Sequence, residues 1–365
     1  MTLKDMITQY NKTGASILSP EEKKAIHASF LKPIQSSDAL GDKLHVIIDA
    51  PSLDGAKIVE AGANSFKKFI YRPATLNEYI GQDNAKALIA LNIRKIETLK
   101  PVHFLISGSR GHGKTTLAYI IKNLLKAKMI ERIAKQIICN DDVIDLVNEI
   151  NASQEKNVIL FIDEIHSLDQ SLCEIFYPLM EDFKIAGKNV KPFILIGATT
   201  EKHILVKNNA PFIDRFQVQV ELQHYSSKDI VEILTQYKNQ LYPQYPITQD
   251  FINIVADNAK KTPRIAISLL EDGIIESDVA HVLKCHRIIY QGLNETDVRI
   301  LRILIENQKP MGSKSLSQMI GLSEKDYLES YESYLVEQEY ILRTARGRTI
   351  ATKGKEIYEK IISKN

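Results

Sequence analysis

The chain has 365 residues, 44% of them apolar and 25% charged, with a net charge of +2. That composition excludes a mainly disordered chain, because it supplies ample Leu, Ile, Val and Phe for packed cores. The near-neutral balance gives no global nucleic-acid signal, so any such signal must be local. No run approaches the ~18 uncharged apolar residues of a membrane span, and the start lacks the apolar core of a signal peptide. Cys139, Cys173 and Cys285 lie far apart in the sequence, neither as a disulfide framework nor at zinc spacing, and free thiols fit a reducing cytoplasm.

Residues 1–70 hold one strand-like run, His45 to Ile48, before a turn signal at Asp49-Ala50-Pro51, and no motif. From Arg72 to about Gln223, short apolar runs alternate with helical ones. Val102 to Ile106 is β-rich. Thr115 to Met129 spaces Leu117, Ile120, Ile121, Leu124 and Leu125 as a helix does. Ile137-Ile138-Cys139 precedes a helical stretch, Asp142 to Ile150, and Val158 to Ile162 and Phe193 to Gly197 read as buried strands. Such alternation predicts an α/β fold with a parallel sheet covered on both faces. Tyr225 to about Tyr290 reads as helices, the first capped by Ser226 or Ser227. Residues 293–365 form a separate unit, three short helices ending in a hairpin around Gly347, as in a winged helix.

Gly108 to Thr115 fits G-x-x-x-x-G-K-[ST], with a strand before it and a helix after it. Gly111 and Gly113 allow backbone N–H groups to close round phosphates, and the helix start adds positive potential. Lys114 would reach the β- and γ-phosphates, and Thr115 would hold Mg²⁺. Thr116 follows in the same turn. Asp163 and Glu164 end a buried strand: the first suits ordering of the Mg²⁺ shell, the second polarisation of attacking water. From Arg343 to Lys355 there are five cations and no acid. A basic hairpin of this kind can grip phosphates without regard to base sequence.

Asp163-Glu164-Ile165-His166 resembles the DExH box of AAA+ ATPases, and further segments narrow the resemblance to the RuvB family of Holliday-junction branch-migration motors. They are Tyr71-Arg72-Pro73 to Gln82, Tyr177 to Phe183, Leu195 to Thr200, Pro211 to Phe216, Thr262 to Ala266 and Tyr334 to Arg348. The resemblance implies a P-loop ATPase domain over 71–223, a helical lid over 224–292 and a winged helix over 293–365, with residues 1–70 as an extension of unassigned role. It implies ATP and Mg²⁺ as cofactors, and catalytic roles for Lys114, Asp163, Glu164 and Arg215, the last as a finger into the neighbouring subunit. Tyr71, Arg72, Glu181, Asp182, Phe183, Thr200, Tyr225 and Arg264 fall at nucleotide-contacting positions, Thr200 as sensor 1 and Arg264 in the lid. Arg343, Arg346 and Arg348 fall at DNA-contacting positions. A hexameric ring acting on branched or duplex DNA is implied. Docking to a RuvA-like junction-binding partner is in doubt, because only Lys184 to Lys191 stands where the family has a longer hairpin. Ser109-Arg110 replaces the usual Pro-Pro, Ile213 an Arg before the finger, and Glu201 an Arg after sensor 1. The alternative is another AAA+ replication ATPase, of clamp-loader or initiator type.

Overall fold

The computed structural model describes residues 71–276 and 278–363. The extension 1–70, with its expected strand at His45 to Ile48, lies outside them.

Five strands form one parallel sheet: β1 (Phe104–Ser107), β2 (Lys128–Ile133), β3 (Val158–Asp163), β6 (Ile194–Thr199) and β7 (Val218–Glu221). Their order is β2-β3-β6-β1-β7. β1 pairs in register with β6 (Phe104 to Ile196) and with β7 (Phe104 to Val218). Every residue of β1 and β6 is buried, because helices cover both faces of a parallel sheet. One face packs α1 (Asp83–Thr98) and α2 (Lys114–Leu125) through Ile89, Leu117 and Ile121. The other packs α3 (Asn140–Ala152), α4 (Gln170–Glu181) and α5 (Lys202–Asp214) through Leu146, Phe176 and Phe212.

The helix expected to reach Met129 stops at Leu125, where Lys126 takes a left-handed φ of 47°. The next strand is Lys128–Ile133, not the apolar run Ile137 to Cys139. Only Ile130 of this strand is buried. As an edge strand it needs no apolar run, and its exposed charges discourage further pairing. The shortened hairpin is present as one antiparallel pair of short strands, β4 (Lys184–Ile185) and β5 (Lys188–Asn189).

A helical lid follows: α6 (Ser227–Leu241), α7 (Gln249–Asp257), α8 (Pro263–Glu276) and α9 (Val279–Cys285). Ser226 caps α6 by accepting from the Asp229 N–H, and Asp229 returns the bond as in a capping box. The lid core is Leu234, Val255, Leu269 and Leu270.

The C-terminal unit begins with a short antiparallel pair, β8 (Ile288–Tyr290) and β9 (Leu293–Asn294). It continues through α10 (Glu295–Asn307), α11 (Ser313–Ile320) and α12 (Glu324–Tyr327), then a π-turn at Leu328–Glu332 and α13 (Ser333–Glu337). The wing is β10 (Ile341–Thr344) with β11 (Gly347–Ile350). The unit does not end in the hairpin, since α14 (Thr352–Ile362) packs back onto α10. Met311 adds a single antiparallel β-bridge to Arg348. A Cβ on Gly347 would stand 2.5 Å from the Met311 carbonyl oxygen, which is why this position needs glycine. The lid is tied to this unit by Lys260, whose ammonium reaches the wholly buried Asp297 at 2.5 Å.

Candidate nucleotide site and basic wing

The phosphate loop joins the C-terminal end of β1 to α2, so the helix N-terminus points at whatever the loop encloses. The loop floors a cleft of ≈ 860 Å³. Its walls include Gly111, Gly113, Lys114, Thr115, Thr116, Asp163, Glu164 and Thr200 from the sheet side, and Arg264 from the start of α8. Tyr71 and Arg72 close its outer end. Gly111 permits the lid to come this near: a Cβ there would lie 2.9 Å from Arg264 Cβ and from Thr262 Cγ2.

Lys114 is buried, and its Nζ donates to the carbonyls of Gly108 (2.8 Å) and Ser109 (3.1 Å). Burial lowers its pKa against the pull of Glu164 and Asp163. Burial raises the pKa of Asp163, although the Glu164 N–H donates to its Oδ1. A half-buried carboxylate beside a threonine hydroxyl is a hard-oxygen donor pair of the kind that suits Mg²⁺. Glu164 stands at a left-handed φ of 50°, which turns its side chain off the strand axis. The Thr200 hydroxyl donates to its Oε2 at 3.0 Å. His166 stands behind it, with Nδ1 3.0 Å from Thr199 Oγ1 and Nε2 2.8 Å from the Glu201 carboxylate. The Glu164 carboxylate is therefore held by Thr200, and His166 by Glu201.

Several lining residues were not singled out from sequence. Tyr237, Pro263, Ile267, Ser268 and Glu271 contribute the lid wall, and Arg110 the loop's own rim. Tyr237 packs edge-on to Tyr71 at 6.3 Å and donates to Glu271 at 2.6 Å. Tyr225 sits under the loop, donating to the His112 carbonyl at 3.1 Å, and lines a smaller apolar recess with Tyr71, Tyr79 and Ile233. A helical lid residue such as Tyr237 carries no local motif, so nothing in its neighbourhood marks it beforehand.

The structure does not bring Glu181, Asp182, Phe183 or Arg215 into this cleft. α4 carries the chain from the C-terminal end of β3 back to the N-terminal ends of the strands, where Phe183 packs on His103 ahead of β1. Arg215 follows α5 at that same end. Its guanidinium stacks over Tyr177 at 3.8 Å and reaches Glu181 at 3.2 Å. The segment is bent at Asn209 (φ −154°), which accepts from the Tyr177 hydroxyl at 2.7 Å. Ile213, where the family has an Arg, is buried in the core.

The wing corrects the expectation of cations without counter-charge. Glu332, fully buried in the π-turn, pairs with Arg343 at 3.2 Å and with Arg348. The partner lies 11 and 16 residues upstream, outside the local charge run from which the expectation was drawn. Arg343 remains 55% exposed and Arg348 only 20%. Among the described residues Arg346 has no carboxylate at ion-pair distance.

Comparison with known proteins adds to this geometry. Residues 71–222 match the profile of the Holliday junction DNA helicase RuvB P-loop domain, and residues 290–359 that of the RuvB C-terminal winged helix domain. The Holliday junction branch migration complex subunit RuvB of Thermosipho melanesiensis is 36% identical over 305 residues, 76% of this chain and 94% of that protein. Its counterpart from Mycoplasma genitalium is 33% identical, over 78% of this chain and 96% of that protein. The solved Thermotoga maritima RuvB Holliday junction branch migration motor superposes with a TM-score of 0.70 at 30% identity, covering 79% of this chain and 98% of that one.

Proposed function

The chain belongs to the RuvB family, AAA+ ATPases with a P-loop domain and a C-terminal winged helix, and from that premise we propose that it is an ATP-driven motor that moves the branch point of Holliday junctions. The observation that carries the reading is the convergence of Lys114, Thr115, Asp163, Glu164, Thr200 and Arg264 on one cleft. Tyr71, Tyr237 and Ile267 supply an apolar and aromatic end suited to adenine, and the loop a basic end suited to phosphates. Thr115 and Asp163 would hold Mg²⁺, which neutralises phosphate charge when bound. Glu164, held by Thr200, orients water for attack, and Arg264 places a lid cation at the phosphate end.

Arg215 serves a neighbouring subunit in this reading. It stands at the end of the strands away from its own cleft, stacked and paired rather than free in solvent. A ring of like subunits, most simply a hexamer, would set each Arg215 against the next cleft, with Glu181, Asp182 and Phe183 on the same offered face. The ATPase part is taken as 71–223, the lid as 224–292 and the winged helix as 293–365, in keeping with hydrophobic clusters on the two faces of the sheet and separate ones in the lid and the wing unit. DNA would lie along the wing, gripped through phosphates. A RuvA-like partner would have to dock without the long hairpin, since only Ala186 and Gly187 separate the two short strands. No helix among the described residues is long and apolar enough to cross a membrane. Work on DNA in the cytoplasm is part of the same proposal.

The test is steady-state ATP hydrolysis with Mg²⁺. Lys114→Ala is expected to abolish both binding and turnover. Glu164→Gln is expected to bind ATP normally while turnover falls by roughly 10²-fold or more, because only the water-orienting carboxylate is removed. Hydrolysis by Lys114→Ala at the wild-type rate would reject the site.

A further inference from the structure

Two residues of the phosphate loop face the winged-helix unit. Arg110 lines the nucleotide cleft and also a second crevice of ≈ 380 Å³, whose far wall is the π-turn with Leu328 and Glu329. Its Nη2 lies 2.8 Å from the Glu329 carboxylate. Two positions on, the buried His112 meets the ring of His224 edge-on at 4.4 Å, and His224 Nε2 lies 2.8 Å from the Glu337 carboxylate. The loop is thus in touch with the winged helix at Glu329 directly and at Glu337 through one ring. Between those two acids stands Glu332, which holds wing residues Arg343 and Arg348. One nine-residue segment therefore connects the phosphate loop to the wing.

We propose that Arg110 is a positioning residue with two alternative partners: Glu329 of the winged helix when the cleft lacks a triphosphate, and the phosphate oxygens when it holds one. Nucleotide occupancy then sets how firmly the loop holds the DNA-binding unit. The proposal rests on the reading of the cleft as a nucleotide site. The Arg110 guanidinium stands between Glu329 and the cleft, and a triphosphate carries more charge than one carboxylate, so a bound triphosphate competes for it. The Arg110 side chain is 59% exposed, so the pair is weak enough to be exchanged. Glu329 keeps a second cation, Lys325 at 3.5 Å, when Arg110 leaves. By linkage, loosening the Glu329 contact and binding nucleotide must favour each other equally.

The experiment measures affinity of the full chain for the non-hydrolysable analogue adenylyl imidodiphosphate, with and without duplex DNA. Glu329→Gln frees Arg110 for the cleft and is expected to tighten analogue binding by roughly fivefold. It should lower the KM for ATP without changing kcat, a split that a merely structural contact would not produce. Arg110→Ala should weaken analogue binding, and both variants should lose the effect of DNA on it. Glu329→Asp, which shortens the side chain yet keeps its charge in the fold, should shift affinity in the same direction as Glu329→Gln. Unchanged analogue affinity and unchanged DNA coupling in Glu329→Gln and Glu329→Asp would overturn the proposal. A wild-type chain that bound no analogue would instead overturn the nucleotide reading beneath it.

Discussion

His103 shows how a single buried ring reports on the sheet that carries the site. It precedes β1, and its Nε2 lies 3.0 Å from the Met180 carbonyl while its Nδ1 is 2.9 Å from the Leu195 N–H. These partners require the neutral tautomer with the proton on Nε2, because a second proton would leave the Leu195 donor without an acceptor. Burial pushes its pKa down to about 4. Between pH 4 and 6.5 the unfolded chain therefore binds a proton that the native chain refuses, so stability falls as pH falls across that window. The loss should approach 1.4 kcal/mol per pH unit, about 3 kcal/mol in all. Urea unfolding midpoints from pH 4.5 to 7.5 should show this slope in wild type and a shallower one in His103→Gln; parallel slopes would contradict the assignment. His103 was not singled out beforehand, since a lone histidine before a strand carries no motif. That Lys114, Asp163 and Glu164 share one cleft was legible, because they stand at fixed spacing beside glycines and a strand end.

Among the elements, the strands β1, β3 and β6 were legible from their uninterrupted apolar runs, whereas β2 was not. An edge strand need not bury its side chains, so Lys128, Glu131 and Arg132 interrupt the apolar run that would mark it, and its first two residues fell within the expected helix. The wing was legible as a hairpin, but not its charge balance, because Glu332 is brought to it by the turn of another element. That contact divides the three arginines. Arg346→Ala is expected to weaken duplex binding evenly across sequences and to flatten the salt dependence by roughly one unit, the signature of one lost phosphate contact. Arg348→Ala leaves part of a buried carboxylate unpaired, so it should chiefly lower thermal stability. DNA affinity at several salt concentrations, with melting temperatures alongside, separates the two. Equal losses of salt slope with no loss of stability would put Arg348 in the DNA path after all.

For the whole molecule, the cleft lies at the C-terminal ends of the sheet strands and Arg215 at their N-terminal ends, so a single subunit cannot bring them together. Mixing inactive Arg215→Ala with inactive Lys114→Ala subunits should therefore restore partial hydrolysis, since some interfaces combine an intact finger with an intact loop. Inactivity at every mixing ratio would count against a finger acting on its neighbour. Such an arrangement could not be drawn from one chain's motifs without the family resemblance, because spacing along a sequence says nothing about a second copy. Ring closure would then let hydrolysis at each interface move the winged helices that hold DNA. The most direct measurement is the conversion of a synthetic four-way DNA junction with mobile arms into its two duplex products, followed with ATP and Mg²⁺ for wild type and for Glu164→Gln. Wild type is expected to convert the junction only while ATP is hydrolysed, and Glu164→Gln to bind both ATP and junction without moving the branch point. Conversion by Glu164→Gln at the wild-type rate, or none by an ATP-hydrolysing wild type, would contradict the motor.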